Sequence, residues 1–237
     1  MFVGHYGPAF AAKAVRKSIP LWVLFLAVQL VDVQWAIFVL LGIEKVRIVP
    51  GFTATNPLDL YYMPYTHSLN GAVVSSIAAG IVYYVFWKAD GRLNAVVVGA
   101  AVFSHWVLDW LVHTPDLPLF HNSFKVGLGL WNRPVLAFLL EIAVLFGGMF
   151  PYLRTTQPVS RTGRYGIPIL GFVMLSFQAY LYFGPPVSSH KTAVVSSFLA
   201  YIAFTAVAYW LEKGRIPTRP GVLTALEAGE VYGTHPP

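Results

Sequence analysis

The chain contains no cysteine. Disulfides, thiolate nucleophiles and thiolate metal ligands are therefore excluded, and histidine nitrogen and carboxylate oxygen are the only strong side-chain donors left for a metal. Charge is also scarce. Asp, Glu, Lys and Arg make up 11% of the 237 residues, against about 25% in an ordinary soluble domain. Hydrophobic residues make up 57% and mean hydropathy is +0.62, so the composition is that of an integral membrane protein. The net charge of +6 is spread over the ends of apolar runs, which gives no support to a nucleic-acid partner. No internal repeat is evident.

A membrane span needs about 20 apolar residues, and six windows meet that need: 20–42, 67–87, 93–113, 134–153, 166–184 and 192–211. The expected fold is all-α, a polytopic bundle of about six transmembrane helices preceded by a re-entrant or interfacial N-terminal helix. Lys13, Arg16 and Lys17 precede the first window and no small-residue cleavage site follows it, so it reads as an uncleaved span. A cytoplasmic N-terminus puts eleven Lys and Arg on the inner side and five on the outer, which by the positive-inside rule sets both termini in the cytoplasm. Residues 1–215 form one domain and 216–237 an extended tail. The 44–66 and 114–133 connections face outward, and their length suits caps or site-lining structure.

Ionisable groups in hydrocarbon are costly and rare unless paired, ligated or facing a polar cavity. Asp32 lies near the middle of the apolar run Leu21–Leu41, and His105, Asp109 and His113 follow one another at i, i+4 spacing. Asp32 and His105 are each twelve residues from the inner ends of their spans, which sets both about 18 Å above the inner boundary. Asp109 is one turn further out and His113 another. Glu141, seven residues inside its outer span end, lies about 10 Å down, near the level of Asp109. His5 reaches that depth only if the N-terminal segment re-enters the bundle; an amphipathic helix on the membrane surface is the alternative. His67 falls about 12 Å above His105 unless tilt, a kink near Gly71 or a dip of the Pro64 loop lowers it. Each residue singly has an ordinary structural reading. Together, neutral imidazoles and ionised carboxylates are what a divalent ion such as zinc requires. His121 reads as a solvated loop residue, and Trp22, Tyr61, Tyr62, Trp87, Trp131, Tyr152 and Trp210 as interfacial anchors.

Gly4-His5 ahead of Ala11-Ala12-Lys13, the intramembrane Asp32, Pro64-Tyr-Thr-His-Ser-Leu69, Ser104-His-Trp-Val-Leu-Asp109, His113-Thr-Pro-Asp-Leu-Pro-Leu119 and Lys125-Val-Gly-Leu-Gly-Leu-Trp131 occur in this order. Over roughly the first two thirds of the chain they resemble a family of bacterial membrane proteins. That family is similar in turn to the membrane-bound metal-dependent hydrolases of the bacterial inner membrane. The ligand order is also similar to that of zinc-dependent phospholipase C and the S1-type nucleases. The resemblance implies that Asp32, His67, His105 and Asp109 hold one ion, with Asp109 bridging to a second near His5 and His113 and Glu141 available to a further one. Two positions depart from the hydrolase pattern: Gln34 stands where a second Asp is common, and Tyr62-Met63-Pro64 where His-Arg-Gly is common.

The leading expectation is a zinc- or other metal-dependent hydrolase of a phosphoester or related bond in a membrane lipid, at the outer leaflet of the bacterial inner membrane. Asp109 and Glu141 are its candidate catalytic carboxylates, and Lys125 and Arg133 its candidate phosphate contacts. The alternative is a non-catalytic subunit of a larger membrane-protein complex, with a structural metal or polar cluster. A proton relay through Asp32 ranks lower, because paired half-helix repeats are absent. A haem bundle ranks lowest.

Overall fold

Backbone N–H and C=O groups in hydrocarbon must be satisfied within the protein, which favours long uninterrupted helices. A computed structural model describes residues 1–88 and 91–218, and it is all-α. In chain order its helices are α1 (Tyr6–Val15), α2 (Leu21–Val28), α3 (Leu30–Leu40), α4 (Leu69–Phe86), α5 (Gly91–Val112), α6 (Pro134–Thr155), α7 (Arg161–Phe183) and α8 (His190–Glu212). The last five are long and apolar enough to cross a membrane, and α2 with α3 makes a sixth span bent by 53°. Serines at 68, 160 and 189 cap α4, α7 and α8 by accepting from the backbone N–H three residues on, as expected for helix starts.

Strand is confined to three two-stranded pieces: β1 (Lys45–Ile48) with β2 (Leu58–Tyr62), β3 (Leu117–Phe120) with β4 (Ser123–Val126), and β5 (Thr156–Pro158) with β6 (Arg215–Pro217). The first two are the long connections of the sequence, folded as hairpins over one end of the bundle. The third closes the opposite end. There Arg215 donates to the Gly163 carbonyl, to Thr156 and to Leu153, and burial lowers its pKa. Ile216 and Pro217 thus belong to a paired strand, and the remainder of the expected tail, from residue 219, lies outside the described residues.

The first span departs from a continuous helix. Gln29, fully buried, has non-helical angles (φ −105°, ψ 3°), and its Nε2 donates to the Phe2 carbonyl at 3.2 Å. The bend therefore coincides with contact to the N-terminal segment, which lies inside the bundle and not on its surface. Val3, His5, Tyr6 and Phe10 are 0% exposed. This burial rests on two glycines, because a Cβ on Gly148 would strike the Gly7 backbone and one on Gly7 would strike the Val144 carbonyl. α1 and α6 therefore pack backbone on backbone. Lys13 is neutralised by Glu212 at 2.5 Å and donates to the carbonyls of Lys17 and Ile19, which satisfies the charge that this buried helix carries inward.

Candidate metal centre

Two helices, a short 3-10 turn and a loop bring the six expected ligands together. α5 carries His105, Asp109 and, just past its end, His113; α3 carries Asp32; a short 3-10 turn, Val3–His5, carries His5. His67 arrives through a dip of the chain between β2 and α4, which starts at Leu69. His5, His67, His105, Asp109 and His113 are all 2% exposed or less. His105 lies seven residues from the hairpin end of α5 and fourteen from the other, so the cluster occupies the half of the bundle beneath the hairpins.

Asp109 is the hub. Its Oδ1 meets His5 Nε2 at 3.1 Å and the Met1 α-ammonium at 2.5 Å. Its Oδ2 faces His105 Nε2 at 3.1 Å and His67 and His113 Nε2 at 3.8 Å. Asp32 Oδ1 lies 3.2 Å from His67 Nε2 and 3.6 Å from His105 Nε2. Its Oδ2 accepts from the Tyr201 hydroxyl at 2.8 Å. The ring of His5 stacks on that of His105 with centroids 3.8 Å apart.

What lies behind the imidazoles fixes which nitrogen carries the proton of a neutral ring. A neutral imidazole has one N–H. The Val28 carbonyl, at the bend of the first span, can only accept, so His105 Nδ1, 2.7 Å away, holds the proton. Thr66 donates its single hydroxyl proton to Glu44 Oε2 at 2.6 Å, and its oxygen therefore accepts from His67 Nδ1 at 2.9 Å. Asp116 Oδ1 accepts from His113 Nδ1 at 2.9 Å. In each ring, when neutral, Nε2 is then a bare lone pair turned toward a carboxylate oxygen. His105 Nε2 has no hydrogen-bond partner despite its 3.1 Å approach to Asp109, and His5 Nδ1 has none either. Acceptors facing acceptors in a buried site call for positive charge between them, and imidazoles oriented through Nδ1–H are the usual arrangement behind metal-ligating Nε2.

The donor set therefore fits a divalent cation. His5, His105 and Asp109 form one compact group, and Asp32, His67 and His105 another, with the ligand atoms of each within 4.8 Å of one another. The two groups share His105, whose single free nitrogen serves one ion. Asp109 belongs with His5 to the first group, and Asp32 with His67 to the second.

Glu141, expected near the metal, is engaged elsewhere. Its oxygens accept from the backbone N–H groups of Phe2 and Gly4, from Gln178 Nε2 and from the Tyr182 hydroxyl. It clamps the N-terminal turn that carries His5. Lys125 donates to the Tyr61 carbonyl at the hairpin surface, and Arg133 is exposed at the N-cap of α6; neither contacts the cluster. Gln34 binds Ser75. Trp131, expected as an interfacial anchor, is buried with its ring 4.1 Å from that of His113. Gly129, at φ +71°, gives its N–H to the His113 carbonyl at 2.6 Å; this left-handed turn lays the strap before Trp131 across the end of α5. Tyr152 is likewise fully buried. Glu44, Thr66, Asp116 and the Val28 carbonyl were not foreseen. Of these, Asp116, three residues after His113, had a visible spacing signal.

Compared with known proteins, the chain matches no family model, no curated protein and no solved structure.

Proposed function

We propose that the chain is a membrane-embedded metal-dependent hydrolase, holding zinc or a similar divalent ion through Asp32, His67, His105 and Asp109, and acting on a phosphoester or related bond of a membrane lipid. The observation that carries the proposal is the convergence of three Nε2 lone pairs, each oriented by a separate Nδ1–H acceptor, on two buried carboxylates. Imidazole nitrogen and carboxylate oxygen are ordinary zinc ligands, and a water beside these four would take a fifth coordination position. A bound divalent ion lowers the pKa of a coordinated water and polarises a phosphoryl oxygen. The protein's own part is to orient the ligands, and His113, backed by Asp116, is the nearby imidazole available to accept a proton.

The most exposed carboxylates of the cluster are Asp32 and Asp116, with side chains 12% and 11% accessible, so substrate approaches along that edge. In this reading the hairpin end faces outward, both termini are cytoplasmic and the host is a bacterial inner membrane. The resemblance to membrane-bound metal-dependent hydrolases supports the reaction class. The test is metal analysis of protein purified without chelator, followed by phosphodiester and phosphomonoester lipid turnover in mixed micelles. About one ion per chain, lost in His105→Ala together with turnover, is the expected result. Fewer than about 0.1 ion per chain, with wild type and His105→Ala indistinguishable, overturns the metal reading. One retained ion without turnover of any lipid ester favours the structural-subunit alternative.

A further inference from the structure

The outer face of the α4–α5 hairpin carries a groove of about 730 Å³, lined by none of the metal-centre residues. Its floor is built from small residues. Gly80 and Gly99 sit so close to the opposite helix that an added Cβ would meet the Ala95 and Ser76 carbonyls at 3.0 and 2.9 Å. The helix backbones nearly touch there, and larger side chains such as Ile77 and Val96 stand up on either side.

The groove runs along the span, between Val73 and Phe103 at one end and Tyr84 and Arg92 at the other. Arg92 to Phe103 is eleven residues, about 16 Å of apolar length. The Ser76 hydroxyl inside it is spent on the Ala72 carbonyl of its own helix at 2.6 Å. Hydrogen-bonding capacity and positive charge are thus confined to the Arg92 end, at the terminus of the span. Among the described residues Arg92 has no ion-pair partner.

A long apolar slot ending in an exposed guanidinium is complementary to one amphiphile: an acyl chain with an anionic headgroup. We propose that this groove binds an anionic phospholipid, its phosphate on Arg92 and one acyl chain along α4–α5. A partner helix would find no polar contact along the slot. The headgroup end of the site lies away from the metal cluster along the span, because Arg92 and His105 are thirteen residues, about 20 Å, apart on one helix. The bound lipid is therefore distinct from the substrate.

Native mass spectrometry of the full chain, released from mild detergent containing phosphatidylglycerol or phosphatidylcholine, tests the assignment. Phosphatidylglycerol is expected to survive higher activation than phosphatidylcholine. Arg92→Gln should lower its retention about fivefold, the weight of one basic side chain at an anionic lipid surface, and leave phosphatidylcholine unchanged. Ala100→Phe, which fills the slot, should lower both, with metal content and thermal unfolding unaltered as the check on folding. Equal retention of the two lipids, no effect of either substitution, or a homodimer that Ala100→Phe dissociates would each overturn the proposal.

Discussion

Thr66→Val is the sharpest test of how the candidate metal centre is built. The change removes one hydroxyl and keeps the β-branched shape. Glu44 still accepts from the backbone N–H groups of Tyr65 and Thr66 through Oε1, at 2.9 and 3.0 Å, so the dip that lowers His67 into the bundle stays in place. Two bonds are lost, the 2.6 Å hydroxyl–carboxylate bond and the 2.9 Å bond from His67 Nδ1. The buried Nδ1–H is left without an acceptor, which costs about 1–3 kcal/mol, and His67 is free to rotate or to change tautomer. Loss of a partner behind a metal-ligating histidine typically weakens binding about 10–100-fold, or about 1.4–2.7 kcal/mol. Zinc affinity of the detergent-purified apoprotein, measured by competition with a chromophoric chelator, should fall by that factor. Thr66→Ser should stay within about threefold of wild type, because it restores the hydroxyl. If Thr66→Val also binds zinc within about threefold of wild type while His67→Ala abolishes binding, the hydroxyl does not position His67 and the account of the three oriented rings fails.

Other perturbations separate the centre from its scaffold. Glu141→Ala should cost about 3 kcal/mol or more, because it strands buried donors from Phe2, Gly4, Gln178 and Tyr182; thermal unfolding of apoprotein, where metal loss cannot contribute, reads this directly. Gly148→Val should expel α1, since any Cβ there strikes the Gly7 backbone, and should lower both the unfolding temperature and the protection of residues 1–15 in hydrogen exchange. Chelation of the wild type should lower apparent stability by about 2.7 kcal/mol relative to protein at a hundredfold excess of metal over Kd, while His105→Ala should be insensitive to chelator. Glu212→Ala leaves the Lys13 ammonium, 9% exposed, without its counterion and is expected to cost about 3–5 kcal/mol; Lys13→Met with Glu212→Ala should recover part of that loss in the same unfolding assay.

Much of the scaffold was legible because membrane helices are written in composition. The windows at 93–113 and 134–153 fall within two residues of α5 and α6. The break in the first span was not legible, because Gln29 in an apolar run is compatible with a helix. Its cause is tertiary: the side chain binds the Phe2 carbonyl, 27 positions away in sequence. The position of α1 was hidden for a similar reason. Lys13, Arg16 and Lys17 give that segment the charge of a surface helix, and only the partnering of Lys13 by Glu212, near the other end of the chain, makes burial tolerable.

The members of the cluster were legible because Asp and His are rare in hydrocarbon, and helix rise alone sets Asp32 level with His105. Their orientation was not, because the three groups that orient the rings share no chemistry. They are a backbone carbonyl exposed by a helix break, a hydroxyl relayed to a carboxylate, and a carboxylate three residues along the chain. This heterogeneity argues for a cation more strongly than the ligands do. A polar cluster that served only to hold helices together would satisfy its own lone pairs, as Glu141 does with four donor groups. At His105 the acceptor behind the ring is met at 2.7 Å, while the nitrogen in front of it, beside two carboxylates, is left unmet. Such an arrangement needs positive charge in that gap, a bound cation or a proton on Nε2, and the ring is held there by the same bend that buries the N-terminal turn.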